Sequence, residues 1–416
     1  MSDSSSHVVR PTSGIEFIFL GTGTSGSLPN VSCLTALEND VPCKTCLSTL
    51  KPEGKKNIRR NTSAVMRIEG KDGKKRTIVI DVGKNFQAAA VEWFPKYGLR
   101  RIDAVLITHA HADAMNGLDD LRGWTLRGAI QKFIDVYASR ATFAEVERAF
   151  PYMVSREFAS GGGDIPEFKW HIFENKEPID VADSGIIITP FEVQHGRLWA
   201  TSAPPAFSPT PATTTPSTPT QTPSTLKSDP SASLLAPPVA AIPSPRRPLA
   251  SANHGQGVPE LYPYLCHAFR IQDSIIYLSD ASWISEESWA VLNQPSIGNP
   301  LHQYAVAIVD CLRPMAHISH YGIREAVNVA RRINARRTYL TGFGHEVSHE
   351  EYVRIGEYVG GKVIDKPTMK EKYCIDLVDE GRNIWLRPSH DGLRVQVSGE
   401  GEGELEVKDN SYDDEW

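Results

Sequence analysis

Residues 103–113 read Asp-Ala-Val-Leu-Ile-Thr-His-Ala-His-Ala-Asp, an apolar run that ends in two histidines and a carboxylate. Ala104 to Ile107 have the composition of a short buried strand. Side chains just past a strand end sit on a loop held by the sheet. Two imidazoles at i and i+2, His109 and His111, with a carboxylate at i+4, Asp113, can therefore converge on one ion. Imidazole nitrogen suits Zn²⁺, Mn²⁺ or iron, and the carboxylate adds a harder ligand.

Further ligands must come from other strand ends. His195 closes the run IIITPFEVQ, Asp280 closes SIIYLS, and His345 follows RTYLTGF. Each alone is the usual turn or cap residue. Their repetition at the same end of several apolar strands makes them candidates. Around them the chain alternates strand and helix patterns. IEFIFL (15–20), SAVMRI (63–68) and RTIVID (76–81) precede the strand 103–108. LCHAFRI (265–271), SIIYLSD (274–280), YAVAIVDC (304–311) and RTYLTGF (337–343) follow it. Helical spacing appears over 85–97, ending at Gly98, and over 323–333 and 349–359.

Composition divides the 416 residues further. Residues 1–14 are polar and Ser-rich and are expected to be disordered. They lack the basic-then-apolar order of a signal peptide, so secretion is not expected. Residues 200–259 hold 14 of the 29 prolines and few charges or aromatics. Such a segment cannot offset its ordering entropy. It reads as a disordered Pro/Ser/Thr-rich insertion within a domain of residues 15–390, a tolerated surface loop or a site for a protein partner. Residues 391–416 read as an acidic C-terminal tail. No apolar run approaches the ~18 residues of a membrane-spanning helix. The net charge of −6 gives no global basic field for nucleic acid. Reduced thiols fit a cytoplasmic or nuclear location.

Three of the six cysteines cluster, Cys33, Cys43 and Cys46. With one histidine they would make a closed tetrahedral zinc site. Cys266, Cys311 and Cys374 read as small buried hydrophobes. Gly21-Thr22-Gly23-Thr24-Ser25-Gly26 matches a dinucleotide fingerprint, but Leu28-Pro29-Asn30 follows where a helix should open, so a tight turn near a site is the better reading.

The pattern resembles the metallo-β-lactamase superfamily: Gly21-Thr22-Gly23 after the first strand, Asp81 after RTIVI, the HxHxD run, then His195 and Asp280 in order. Within it the chain is most similar to the PhnP-type cyclic phosphodiesterases. The resemblance implies an α/β fold, the αββα sandwich of two packed sheets with outer helices. It implies a metal site of His109, His111 and His195 with Asp280 as bridging carboxylate, Asp113 at a second position, and a structural zinc on Cys33, Cys43, Cys46 and His345. It places Asp310 and His320 as an Asp–His pair near the leaving group. Two positions depart from the family: HxHxDH has become HxHxDA at Ala114, and the late LTHxxH motif has Gly342 for its first histidine. Both losses strike the second metal position, which predicts one catalytic ion, zinc or manganese, unless His317 or His349 substitutes.

The implied activity is hydrolysis of a small cyclic or nucleotide-like phosphodiester by hydroxide generated at the metal. Asp113 would orient the water or act as base, and His320 would protonate the leaving alkoxide. Two alternatives stand beside it. A tRNase Z-like RNA-processing nuclease shares the fold and early motifs. A non-catalytic metal-binding protein would use the Pro-rich segment for interactions. A homodimer is compatible with the sequence.

Overall fold

The computed structural model describes residues 13–159, 164–200, 260–294, 303–399 and 406–413. The expected disordered start and the bulk of the expected insertion lie outside them. The chain comprises two compact units, Met1–Arg197 with Pro263–Trp416, and Leu198–Tyr262. The described residues of the second unit belong to the ends of two long strands.

In chain order the strands are β1 (Ile15–Gly21), β2 (Ser63–Glu69), β3 (Lys75–Ile80), β4 (Ala104–Leu106), β5 (Ile134–Ser139), β6 (Phe168–Phe173), β7 (Ile179–Asp180), β8 (Ile187–Ala200), β9 (Glu260–Ile271), β10 (Ile275–Leu278), β11 (Val306–Asp310), β12 (Arg337–Thr341), β13 (Leu386–Pro388), β14 (Arg394–Val397) and β15 (Val407–Asp409). Among the described residues they form an eight-stranded sheet, β15-β14-β1-β2-β3-β4-β5-β6, and a seven-stranded sheet, β13-β12-β11-β10-β9-β8-β7.

Three apolar layers follow from strand alternation. Phe17, Ile78 and Leu106 of the first sheet meet Tyr277, Ile308 and Tyr339 of the second in a core between the sheets. The opposite face of the first sheet, with Ile18, Val65 and Val79, packs on the helix Phe86–Lys96. The opposite face of the second, with Leu278, Val309 and Leu340, packs on Ile323–Ile333 and His349–Val359. Phe86, Ala89, Ala90, Trp93 and Phe94 are buried at helical spacing, and Ile323, Ala326, Val327, Ala330 and Ile333 repeat the pattern. This is the expected αββα sandwich.

Parallel pairing sets the site. β3, β4, β5 and β6 run parallel, as do β10, β11, β12 and β13. Their carboxyl ends therefore open on common edges, where ligand-bearing loops belong. Gly21 and Gly23 lie at one such edge. A Cβ on Gly23 would stand 2.6 Å from the Arg59 carbonyl oxygen, and one on Gly21 2.1 Å from that of Asn61. The glycine-rich stretch thus permits backbone-to-backbone approach and opens no nucleotide-binding helix.

The expected acidic tail from 391 is corrected. β14 and β15 extend the first sheet, because Val395, Val397 and Val407 alternate into the core. Asp409, fully buried, accepts from Arg337 Nη1 at 2.8 Å and from Tyr339 Oη at 2.7 Å. The run of acidic residues around these strands hides a short alternating pattern. Among the described residues no helix is long and apolar enough to cross a membrane.

Removing one partner from a buried charged network leaves the others uncompensated. Asp409→Ala is expected to cost about 3 kcal/mol, read as a lower urea midpoint with an unchanged slope. A midpoint equal to wild type would show that the C-terminal strands do not brace the sheet.

Candidate metal centres

The first centre begins with a buried carboxylate. Asp81, just past β3, sits at φ +59° and is 2% exposed. Its two oxygens accept from the Thr108 backbone N and Oγ1, both at 2.8 Å. With its proton committed to Asp81, the Thr108 hydroxyl oxygen accepts from His109 Nδ1 at 2.8 Å. That fixes the tautomer, so His109 Nε2 carries a lone pair. This Nε2 is buried and has no hydrogen-bond partner.

The ligand atoms of His109, His111 and His195 lie within 4.8 Å of one another. His111 Nδ1 and His195 Nε2 are 3.1 Å apart. His195 donates its other nitrogen, Nδ1, to the Ser319 carbonyl oxygen at 2.8 Å. Burial first, then the neighbouring imidazoles, push the pKa of His109 well down and lower that of His111. Neutral imidazoles aiming lone pairs at one point suit a transition-metal cation, and the orphaned His109 Nε2 is the atom that such an ion would satisfy. Asp280, at φ +56°, places Oδ2 3.5 Å from His109 Nε2 and 3.7 Å from His195 Nε2. Asp113 is outside this trio; burial and then the charge of Asp280 push its carboxyl up.

His320 stands against the same centre. Its ring is 4.8 Å from that of His195, and its ligand atom clusters with those of His195 and Asp280. Its Nδ1 lies 3.1 Å from Asp310 Oδ2 and 3.3 Å from Oδ1. Asp310 is fully buried and also accepts from the Tyr321 backbone N at 3.1 Å. Burial opposes protonation of His320, but the Asp310 carboxylate outweighs it and holds the imidazole up at about 9.

The second cluster joins Cys33, Cys43, Cys46 and His345. His345 Nδ1 is 3.1, 3.5 and 3.8 Å from the three sulfurs. A tetrahedral zinc with ordinary bond lengths sets its sulfur and nitrogen ligands about 3.6 Å apart. Burial pushes the Cys46 thiol up to about 12, a cost that a cation at this point removes. Arg59, 2% exposed, holds the loop carrying His345: it donates to the Gly344 carbonyl and to that of Val347 at 3.0 Å, and its guanidinium lies over Phe343 at 5.0 Å.

The two departures have structural consequences. Ala114 is buried, and its carbonyl accepts from Val82 N at 2.8 Å. Gly342 sits at φ +78°, and a Cβ there would stand 2.5 Å from Asp310 Oδ1. A histidine at 342 would collide with the very carboxylate that holds His320. Neither suggested substitute joins the centre. His317 Nδ1 pairs with Ser319 Oγ at 2.8 Å, while His349 is buried between His390 and Tyr412.

Several residues in contact with the centres escaped the sequence reading: Thr108, Ser319, Arg59 and Tyr264, whose ring stacks on His111. Cys266 is fully buried as expected, yet its Sγ lies 3.7 Å from His109 Nδ1. Thr108 alone carried a signal, its place between strand and motif.

Residues 76–214 match the family described as the beta-lactamase superfamily domain. The chain is similar to a diphosphatase from the PhnP family, at 19% identity and a TM-score of 0.54, over 92% of this chain and 97% of that one. It is also similar to Zn(2+)-bound PqqB from Methylobacterium extorquens, at 13% identity and a TM-score of 0.49, over 91% and 99% of the two chains. Over 183 residues it is 30% identical to an octanoyltransferase of Porphyromonas gingivalis, which covers 44% of this chain. The stretch spans only 31% of that protein's length.

Two outcomes check the site. Cys43→Ser is expected to lower zinc by about one ion per chain and to leave binding at the histidine cluster intact, as elemental analysis reads. Gly342→His with Ala114→His is expected to gain no further ion and to lose stability by about 1–3 kcal/mol, since position 342 has no room and a left-handed backbone. An extra ion per chain in that double variant would refute the steric account.

Proposed function

We propose that this chain, of which residues 76–214 match the beta-lactamase superfamily domain and whose fold is similar to that of a PhnP-family diphosphatase, is a metal-dependent hydrolase of a small cyclic or nucleotide-like phosphodiester. The observation that carries the reading is the pairing of two devices at one edge: three converging imidazoles with Asp280, and the Asp310–His320 pair against them. His109, His111, His195 and Asp280 would hold the ion. A zinc or manganese ion there supplies an acidic water and a Lewis acid for the phosphoryl group.

The chain's own residues do the rest. His320 carries a proton that Asp310 secures on Nδ1, which leaves Nε2–H free to donate to the departing alkoxide. Asp113, raised by burial and by Asp280, orients the attacking water or takes its proton. Asp310, fully buried, keeps the His320 ring from turning. A diester needs this division of labour, because its leaving alkoxide is a poor one without a proton. The diphosphatase activity named for the PhnP-family relative is of the same phosphorus chemistry.

Hydrolysis of bis(p-nitrophenyl) phosphate in the presence of Mn²⁺ or Zn²⁺ tests the reading. His109→Ala is expected to abolish turnover together with about one bound ion per chain. Asp310→Asn is expected to lower kcat by about 10²–10⁴-fold on an alkyl diester, with KM little changed, and by much less on the p-nitrophenyl ester, whose leaving group needs no proton. Wild-type protein loaded with metal and inert toward every diester would sink the proposal. So would equal losses on both esters for the role given to His320.

A further inference from the structure

A histidine that binds a metal normally gives its second ring nitrogen to a protein acceptor, which fixes both tautomer and ring angle. Two of the three imidazoles follow this rule. His109 is held through Thr108 Oγ1 and His195 through the Ser319 carbonyl, each at 2.8 Å. His111 does not. Its inward atom is Nδ1, and its Nε2 has no hydrogen-bond partner among the described residues. It is also the exposed member of the trio. By hydrogen bonding alone its ring would be free to swing.

What faces it is an aromatic ring. Tyr264 lies parallel to His111, with centroids 4.6 Å apart and planes within 5°. The same ring approaches His109 at 6.2 Å and His195 at 6.0 Å, both edge-on. Tyr264 and Cys266 are two residues apart on β9, so they share one face of the strand, and that face touches two of the three ligands. Stacking has an added chemical advantage here. An imidazole that donates its lone pair to a cation becomes electron-poor, and an electron-rich phenol face attracts it more strongly in that state.

We propose that Tyr264 is a positioning residue of the histidine centre, holding His111 at its ligating angle by parallel stacking in place of the missing hydrogen bond. This rests on the reading of His109, His111 and His195 as a metal site.

The test is the affinity of full-length protein for Co²⁺ and Zn²⁺, measured by competition with a chelating dye, with the visible Co²⁺ spectrum as a second readout. Tyr264→Ala is expected to weaken binding at the histidine centre about 10–100-fold and to change the Co²⁺ bands. The zinc held by the cysteine cluster is expected to stay in place, as an internal control of folding. Tyr264→Phe, which keeps the stacking ring and removes only the hydroxyl, is expected to remain within about threefold of wild type. Tyr264→Leu, which keeps apolar bulk without a stacking face, is expected to bind as weakly as the alanine variant. Wild-type affinity in Tyr264→Ala overturns the proposal. So does a phenylalanine variant as weak as the alanine one, which would assign the effect to the hydroxyl. If the alanine variant loses its cysteine-bound zinc or its cooperative melt, the leucine and phenylalanine variants decide: weak with normal supports the role, and equal affinities overturn it. Wild-type protein that takes up no Co²⁺ beyond the cysteine site would instead refute the metal reading itself.

Discussion

The contact on which the first centre depends is the latch between Asp81 and Thr108. A carboxylate in a dry sheet edge is costly unless its oxygens are occupied. Here both are, one by a backbone N–H and one by a hydroxyl. The latch ties the end of β3 to the end of β4, neighbours in a parallel ladder. It also spends the Thr108 proton, so that His109 must give its own Nδ1 proton to that hydroxyl and turn a bare Nε2 inward. One buried acid thus sets the position and the tautomer of a ligand it never touches. The left-handed backbone at Asp81 is what lets the side chain turn back under the following loop.

The residues legible in the sequence were those whose signal is local. His109, His111 and Asp113 stand in five residues after a strand, and the helices 323–333 and 349–359 show clean apolar periodicity. Strands β1 to β4 and β8 to β12 were readable as short apolar runs, while β5, β6 and β7 were not read, their runs being shorter or broken by polar and aromatic residues. What was missed shares a different trait. Tyr264 meets His111 across 153 positions of sequence. Arg59 meets the Gly344 carbonyl across 285. Pairings between distant segments leave no periodicity, and a lone tyrosine or arginine has no spacing to betray it. β14 and β15 were missed for a compositional reason, since three-residue and four-residue strands among acidic neighbours carry too few valines to stand out.

The altered second position is explained by geometry more than by decay. Random loss would leave space where side chains had been. At Gly342 the space is taken: a Cβ would meet Asp310 Oδ1, and the backbone is left-handed. The segment has closed onto the Asp310 carboxylate, and that carboxylate is the one that secures His320. A protein abandoning its chemistry has no reason to keep a fully buried acid facing an imidazole, a pairing that costs desolvation and contributes little to folding. The close approach of Gly342 to Asp310 thus accounts for the absence of a bulky side chain at position 342 without any loss of the Asp310–His320 pairing.

The two clusters are also mechanically joined. The chain leaves β12 at Thr341, passes Gly342 against Asp310, and reaches His345 three residues later. Arg59 grips the carbonyls of Gly344 and Val347, one on each side of His345, and Gly344 N donates to the Leu312 carbonyl at 2.7 Å, two residues beyond Asp310. An ion on the cysteines therefore anchors the far end of the very turn that walls in the Asp310–His320 pair. Without that anchor, three thiols and a ring would have to part into solvent or pair poorly, and the turn would lose its outer fixed point. On the proposed reading, a cation at the cysteine cluster would brace the segment that walls in the Asp310–His320 pair.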